Sequence, residues 1–240
     1  MQLTAFEFMT GLFSLLICII SIYIGLYIAS RYFKSRIKQY LLVGISWTGL
    51  MNGWWPSALS FLSVLTINQS LPPIPYFLIG NLVLPWFLLI WIMAFNHFLD
   101  IQRKNIVLAV FILFALIYDG LLLFNIFTTP ANIGELTSAV DVKYKGIFSL
   151  LLLLVLIIVC ITGLLFAKQS LRAEQRVSKL RGKFIGIAFI SWTVGAIADS
   201  TFTLNFITLP IIRILLISSS LEFYIGIIMP KPIENIFLKK

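Results

Sequence analysis

Apolar residues in this chain fall in long unbroken runs, not at every second position and not on one stripe of an otherwise polar helix. Seven runs stand out, at 6–30, 40–66, 76–99, 106–127, 146–167, 184–207 and 210–229. Each is about 20 residues or longer, enough to cross a hydrocarbon core of about 30 Å. Within lipid every backbone N–H and C=O must be satisfied internally, so only helices and closed barrels span. Barrel strands would alternate apolar and polar residues, and these runs do not. The pattern predicts an all-α polytopic membrane protein. It is a bundle of seven transmembrane helices in a single domain over 1–240, with 230–240 as a short basic cytosolic tail.

The polar connections predict the orientation. The first carries Arg31, Lys34, Arg36 and Lys38 without an acid, and the third, DIQRKN, carries Arg103 and Lys104. The fifth is KQSLRAEQRVSKLRGK, six basic residues against Glu174 alone. Between them lie INQSLPPIP, uncharged and stopped by Pro72, Pro73 and Pro75, and the long TTPANIGELTSAVDVKYK, whose charges cancel. Basic connections stay in the cytosol. The N-terminus is therefore expected outside and the C-terminus inside the cell membrane. The segment Ile233–Lys240 has the spacing of a short helix lying along the inner interface.

Composition narrows the picture further. The chain is 60% hydrophobic and 11% charged, with a mean hydropathy of +1.02, against about 45–50% and about 25% in soluble domains. The net charge of +9 is loop charge. No contiguous basic soluble domain exists to bind nucleic acid, so the expected partners are the lipid bilayer, anionic headgroups, or a cytosolic signalling protein at the basic inner loops. Cys18 and Cys160 lie within apolar runs and read as small buried hydrophobes. One histidine and two isolated cysteines make no metal site of familiar spacing. Nucleophile-elbow, zinc-protease and phosphate-loop motifs are missing. The reading is a non-enzyme without a cofactor.

Chemistry would therefore come from the ionisable residues inside the runs. Each costs about 2.5–3.5 kcal/mol on insertion scales and faces the bundle or a wet cavity. Asp119 and Asp199 both sit about 12 Å below the outer boundary at about 1.5 Å per residue. Arg213 lies a few residues inside the outer start of the seventh run, beside the sixth across a tight turn. Asp199 and Arg213 are thus expected to pair, with Asp119 as a third member. The pair is either a lock between helices or the charged part of a ligand pocket. Gly195, Ala196, Asp199 and Thr203 form a small-residue packing stripe.

In the inner half, Glu222 is out of phase with Arg213, and Ser218 and Ser219 one turn before it are possible hydrogen-bond partners. Asn96 and His97 lie at similar depth in the third run. A Glu222–His97 contact would make a proton path or pH switch; otherwise His97 faces headgroups. Thr48 and Asn52 lie with Gly44 and Pro56 on one face of the second run, Pro56 kinking it, and Asn81 marks a similar face of the third. Such stripes are helix-packing glue or a solvated cavity. Trp54 and Trp55 are too deep for an interfacial belt. One internal echo is present: ISWT occurs at Ile45–Thr48 and Ile190–Thr193, which would relate runs one to three to runs five to seven.

The stretches LRAEQRVSKLRGKFIGIAFISWTVGAIADS and RILLISSSLEFYIGIIMPK resemble small uncharacterised seven-span proteins of archaea. Those are in turn similar to the N-terminal seven-helix sensor region of some histidine kinases. The resemblance implies a sensor- or receptor-like membrane protein, here without an output domain of its own, and transfers no functional residue. A retinal protein is excluded because the seventh run has no lysine. The competing reading is a small-solute or ion transporter with a 3+1+3 helix arrangement, using Asp199 and Glu222 as outer and inner coupling sites.

Overall fold

The computed structural model describes residues 2–99 and 103–238, without the side chains of residues 97–99. Helix α1 (Ala5–Ser35) opens with a capping box. Thr4 Oγ1 accepts from the Glu7 amide, and the Glu7 carboxylate accepts from the Thr4 amide, which satisfies two of the free donors at the helix start. The helix ends at Arg36 in the left-handed region. Then come α2 (Lys38–Leu50), a 3-10 turn at Asn52–Trp54, α3 (Trp55–Ile67), α4 (Pro73–Asn81) and α5 (Leu84–Leu99). Helix α6 (Lys104–Thr128) leads through a second 3-10 turn to strands β1 (Gly134–Ser138) and β2 (Asp141–Tyr144). The chain finishes with α7 (Gly146–Arg172), α8 (Arg176–Thr201), α9 (Thr208–Ile228) and α10 (Lys231–Leu238).

Among the described residues, six helices are long and apolar enough to cross a membrane: α1, α4–α5 taken together, α6, α7, α8 and α9. The expected second run is the exception. It is two 13-residue halves, α2 and α3, separated at Asn52–Trp54. Asn and Gly are poor helix formers, and Pro56 has no amide to bond back into α2. Pro56 instead occupies the first turn of α3, where its missing N–H costs nothing. It begins a new helix and does not bend a continuous one.

Three other expectations change. The fifth basic connection is mostly helical: α7 runs on to Arg172 and α8 starts at Arg176. Lys, Arg, Gln and Glu are good helix formers, and a helix need not stop where the lipid does. The balanced connection folds into an antiparallel β-hairpin pairing Gly134 with Tyr144 and Leu136 with Val142, an element the all-α reading lacked. Gly146, with φ +51°, turns β2 into α7. Thr203 lies beyond the end of α8 and does not extend the stripe of Gly195, Ala196 and Asp199.

Packing closes a ring in the order α1, α2–α3, α5, α7, α8, α9 and back to α1. Helix α6 packs chiefly on α4 and α5, outside that ring. Exchanging α1 with α7, α2–α3 with α8, and α4–α5 with α9 preserves every neighbour relation in the ring. At its centre the two echoed tryptophans meet: Trp47 and Trp192 have ring centroids 6.4 Å apart. Trp47 also stacks on Phe223 at 3.8 Å, with the planes 9° apart, and Phe189 meets Trp47 edge-on at 6.0 Å. Close backbone approach holds α1 to α2, since a Cβ on Gly44 would overlap the Gly25 carbonyl oxygen. Small residues are what allow helices to pack this way in lipid.

Candidate functional site

At the hairpin end of the ring, four segments converge on one ion pair. Asp199, near the end of α8, lies with Oδ1 2.8 Å from Nε of Arg213 in the second turn of α9. The approach is a charge contact without hydrogen-bond alignment. Both side chains are shielded, at 13% and 4% exposure. Arg213 Nη1 donates to Ser14 Oγ of α1 at 2.9 Å, and Ser14 donates in turn to the Thr10 carbonyl. The second Asp199 oxygen, Oδ2, accepts from the indole of Trp54 at 2.9 Å. Trp54 can reach it because the chain is broken there and the 3-10 turn re-aims the ring. A buried charge pair persists only where further hydrogen bonds satisfy its remaining atoms, and Ser14 and Trp54 supply them.

The hairpin covers this end. Its tip inserts between α1 and α3: Ala139 donates its amide to Glu7 Oε1 at 3.3 Å, and its carbonyl accepts from Ser60 Oγ. Val140 is fully buried in a cluster with Phe61 and Val64. Asp141 follows at the rim. Its side chain keeps exposed surface, yet the protein packed around it desolvates the carboxylate and raises its pKa. Arg213 opposes that rise and Asp199 adds to it, so hairpin and ion pair share one electrostatic neighbourhood. At the hairpin base, Asn81 donates to the Tyr144 hydroxyl at 3.0 Å and accepts from the Tyr118 hydroxyl at 2.9 Å. Burial pushes the Tyr144 phenol up to about 12, against the Asn81 hydrogen bond.

Asp119 does not join the pair. It lies on the peripheral α6, where Oδ2 accepts from the Trp86 indole at 2.7 Å. The three-residue constellation is thus two separate carboxylate–tryptophan contacts, one of which also holds an arginine. The polar faces likewise divide. Thr48 packs against Gly25, Asn52 donates weakly to the Ile79 carbonyl at 3.4 Å, and Asn81 serves the two tyrosines.

Toward the other end, Glu222 Oε2 is buried without a hydrogen bond. Ser218 and Ser219 bond carbonyls of their own helix and not Glu222. Asn96 is 5% exposed with neither amide atom bonded. The side chain of His97 lies outside the described residues, and with it the expected Glu222 contact. Among the described residues no three His, Cys, Asp or Glu side chains gather closely enough to hold a metal.

Set against family models, curated proteins and solved structures, the chain matches none of them.

Sequence reasoning missed Ser14, Trp54 and the hairpin tip. Ser14 carried a signal, since Thr10 and Ser14 place two hydroxyls on one face of an otherwise apolar helix. Trp54 and the tip carried none, because their roles depend on contacts 145 and 79 residues away in sequence.

Proposed function

We propose that this is a sensor- or receptor-like membrane protein of the cell membrane, crossing it seven times with the broken α2–α3 as the second crossing. The hairpin end faces outside and the basic end the cytosol. The observation that carries this reading is the hairpin tip docked beside the buried Asp199–Arg213 pair. A ligand that lifts the tip would expose the pair, and the pair joins α1, α8 and α9. Those helices continue to the basic end, where a cytosolic partner would read their displacement. A switch of this kind needs an element with two arrangements that the ligand binds unequally. The hairpin tip, held by the Glu7 and Ser60 hydrogen bonds and by the buried Ala139 and Val140, is that element. The resemblance of 171–200 and 213–231 to small archaeal seven-span proteins, themselves similar to sensor regions of histidine kinases, implies the same role.

A second reading, a small-solute or ion carrier, is favoured by the ring that looks the same when its first and last three spans are exchanged, with α6 as the linker. Internal repeats of this kind are common in carriers.

Cysteine accessibility separates the two. Asp199→Cys and Glu222→Cys are made on a background with Cys18 and Cys160 replaced, and an impermeant thiol reagent is applied to each face. A sensor labels at position 199 alone, from outside, and faster when the hairpin is displaced. Labelling at 199 from outside and at 222 from inside, each protected by a solute, selects the carrier. No labelling at either position under any condition removes both.

A further inference from the structure

A cleft of about 310 Å³ opens at the basic end, where α2, α7, α8 and α9 come together. Its walls are apolar, with Ile37, Val43, Phe166 and Ile185 among them, and its polar groups are Arg181, Ser170, Ser178, Gln39 and Tyr40. Arg181 distinguishes it. The Nε atom is buried and makes no hydrogen bond, and among the described residues no carboxylate lies within 4.0 Å of the guanidinium. A cation with a buried, unpartnered donor is costly unless an anion completes it. The neighbouring sequence selects the sign as well: Arg36, Lys38 and Lys179 are exposed and directly adjoin the lining residues Ile37, Gln39 and Ser178 in the chain.

We propose that this cleft binds the phosphate of an anionic phospholipid headgroup, with Arg181 as its central ligand. The planar guanidinium matches phosphate oxygens in pairs, and Ser170 and Ser178, which line the same cleft, supply hydroxyl donors. The apolar wall accounts for a lipid in place of a free anion, because only an amphiphile places acyl carbon against Ile37, Val43 and Ile227 while its phosphate meets Arg181. Depth agrees: Phe166 and Ala167 are the last apolar residues of α7 before Lys168, so the cleft lies at headgroup level. Basic pockets between helices at this level hold anionic headgroups in membrane bundles. The assignment stands independently of the sensor and carrier readings, since it needs neither the hairpin nor the Asp199–Arg213 pair.

The test is thermal melting of the full chain in neutral detergent, followed by tryptophan fluorescence. Phosphatidylglycerol, phosphatidylcholine of the same chain length, and inorganic phosphate are added separately. Phosphatidylglycerol is expected to raise Tm by about 5 °C as a ligand specific to the folded state, with neither of the others doing so. Arg181→Gln should abolish that rise, whereas Arg172→Gln, outside the cleft, should keep it. Should Arg181→Gln fail to fold, Ser178→Leu, which fills the cleft and keeps the charge, decides in its place by the same loss. An equal rise from inorganic phosphate overturns the lipid assignment in favour of a free anion. An undiminished rise in Arg181→Gln or Ser178→Leu, or an equal loss in Arg172→Gln, overturns the cleft and leaves diffuse surface charge.

Discussion

Trp54 and Asp199, 145 residues apart in the chain, share a hydrogen bond of 2.9 Å from the indole nitrogen to Oδ2. That contact ties the break in the second helical run to the charge pair at the end of α8. It makes the break part of the site and not a defect in a span. Its consequences can be measured.

Removing one charge should be worse than removing both. Asp199→Ala leaves Arg213 buried with Ser14 as its remaining partner, and breaking a buried pair this way costs about 3–5 kcal/mol. Replacing both residues, as Asp199→Leu with Arg213→Met, should recover most of that loss. Thermal unfolding of the two variants in lipid discs checks this; equal losses would show that the charges do not act as a pair.

Two glycines should respond in opposite directions. A side chain at Gly44 would meet the α1 backbone at Gly25 and Ala29, whereas nothing lies within 4 Å of the Cβ position of Gly120. Gly44→Ala is expected to destabilise by about 1–3 kcal/mol through overpacking. Gly120→Ala, in the middle of α6, should stabilise by up to about 1 kcal/mol through helix propensity alone. The same unfolding measurement distinguishes them.

Alkali should loosen the hairpin through Tyr144. Its phenol titrates at about 12 in the folded chain against about 10 when unfolded. A group whose folded pKa is raised contributes stability that is fully present below the unfolded value and lost as pH rises through the folded one. The loss should therefore run from about pH 10 to about pH 12, and Tyr144→Phe should lack it. The wild-type minus Tyr144→Phe absorbance difference near the tyrosinate band gives the midpoint, and melting across the same range gives the stability.

Opening the hairpin should expose the ion pair. Val140 is fully buried, so Val140→Asp places an unpaired charge in an apolar cluster and disfavours docking of the tip. Labelling of Asp199→Cys by an impermeant thiol reagent should then quicken by about tenfold or more, because reaction follows the population of the opened state. An unchanged rate would show that the tip does not guard the pair.

The apolar runs by themselves determined that the chain forms long helices suited to lipid, because backbone polar groups in hydrocarbon leave no open alternative. They also marked Asp199 and Arg213 as costly charges on neighbouring elements, since burial of charge is legible residue by residue. What they could not convey was whether each run stays one helix. At Asn52–Trp54 local propensity is weak, and neighbouring contacts to Asp199 and Ile79 hold the broken form. Nor could they separate Asp119 from Asp199. Both lie at the same depth in sequence, and only packing puts α6 outside the ring and leaves Asp119 with Trp86. The hairpin was hidden for a similar reason: its polar sequence reads as a connection, and it becomes a plug only because α1 and α3 offer Glu7, Ser60 and an apolar gap for Val140. Sequence carries the local cost of each group in lipid; which distant group meets that cost is set by how the helices pack.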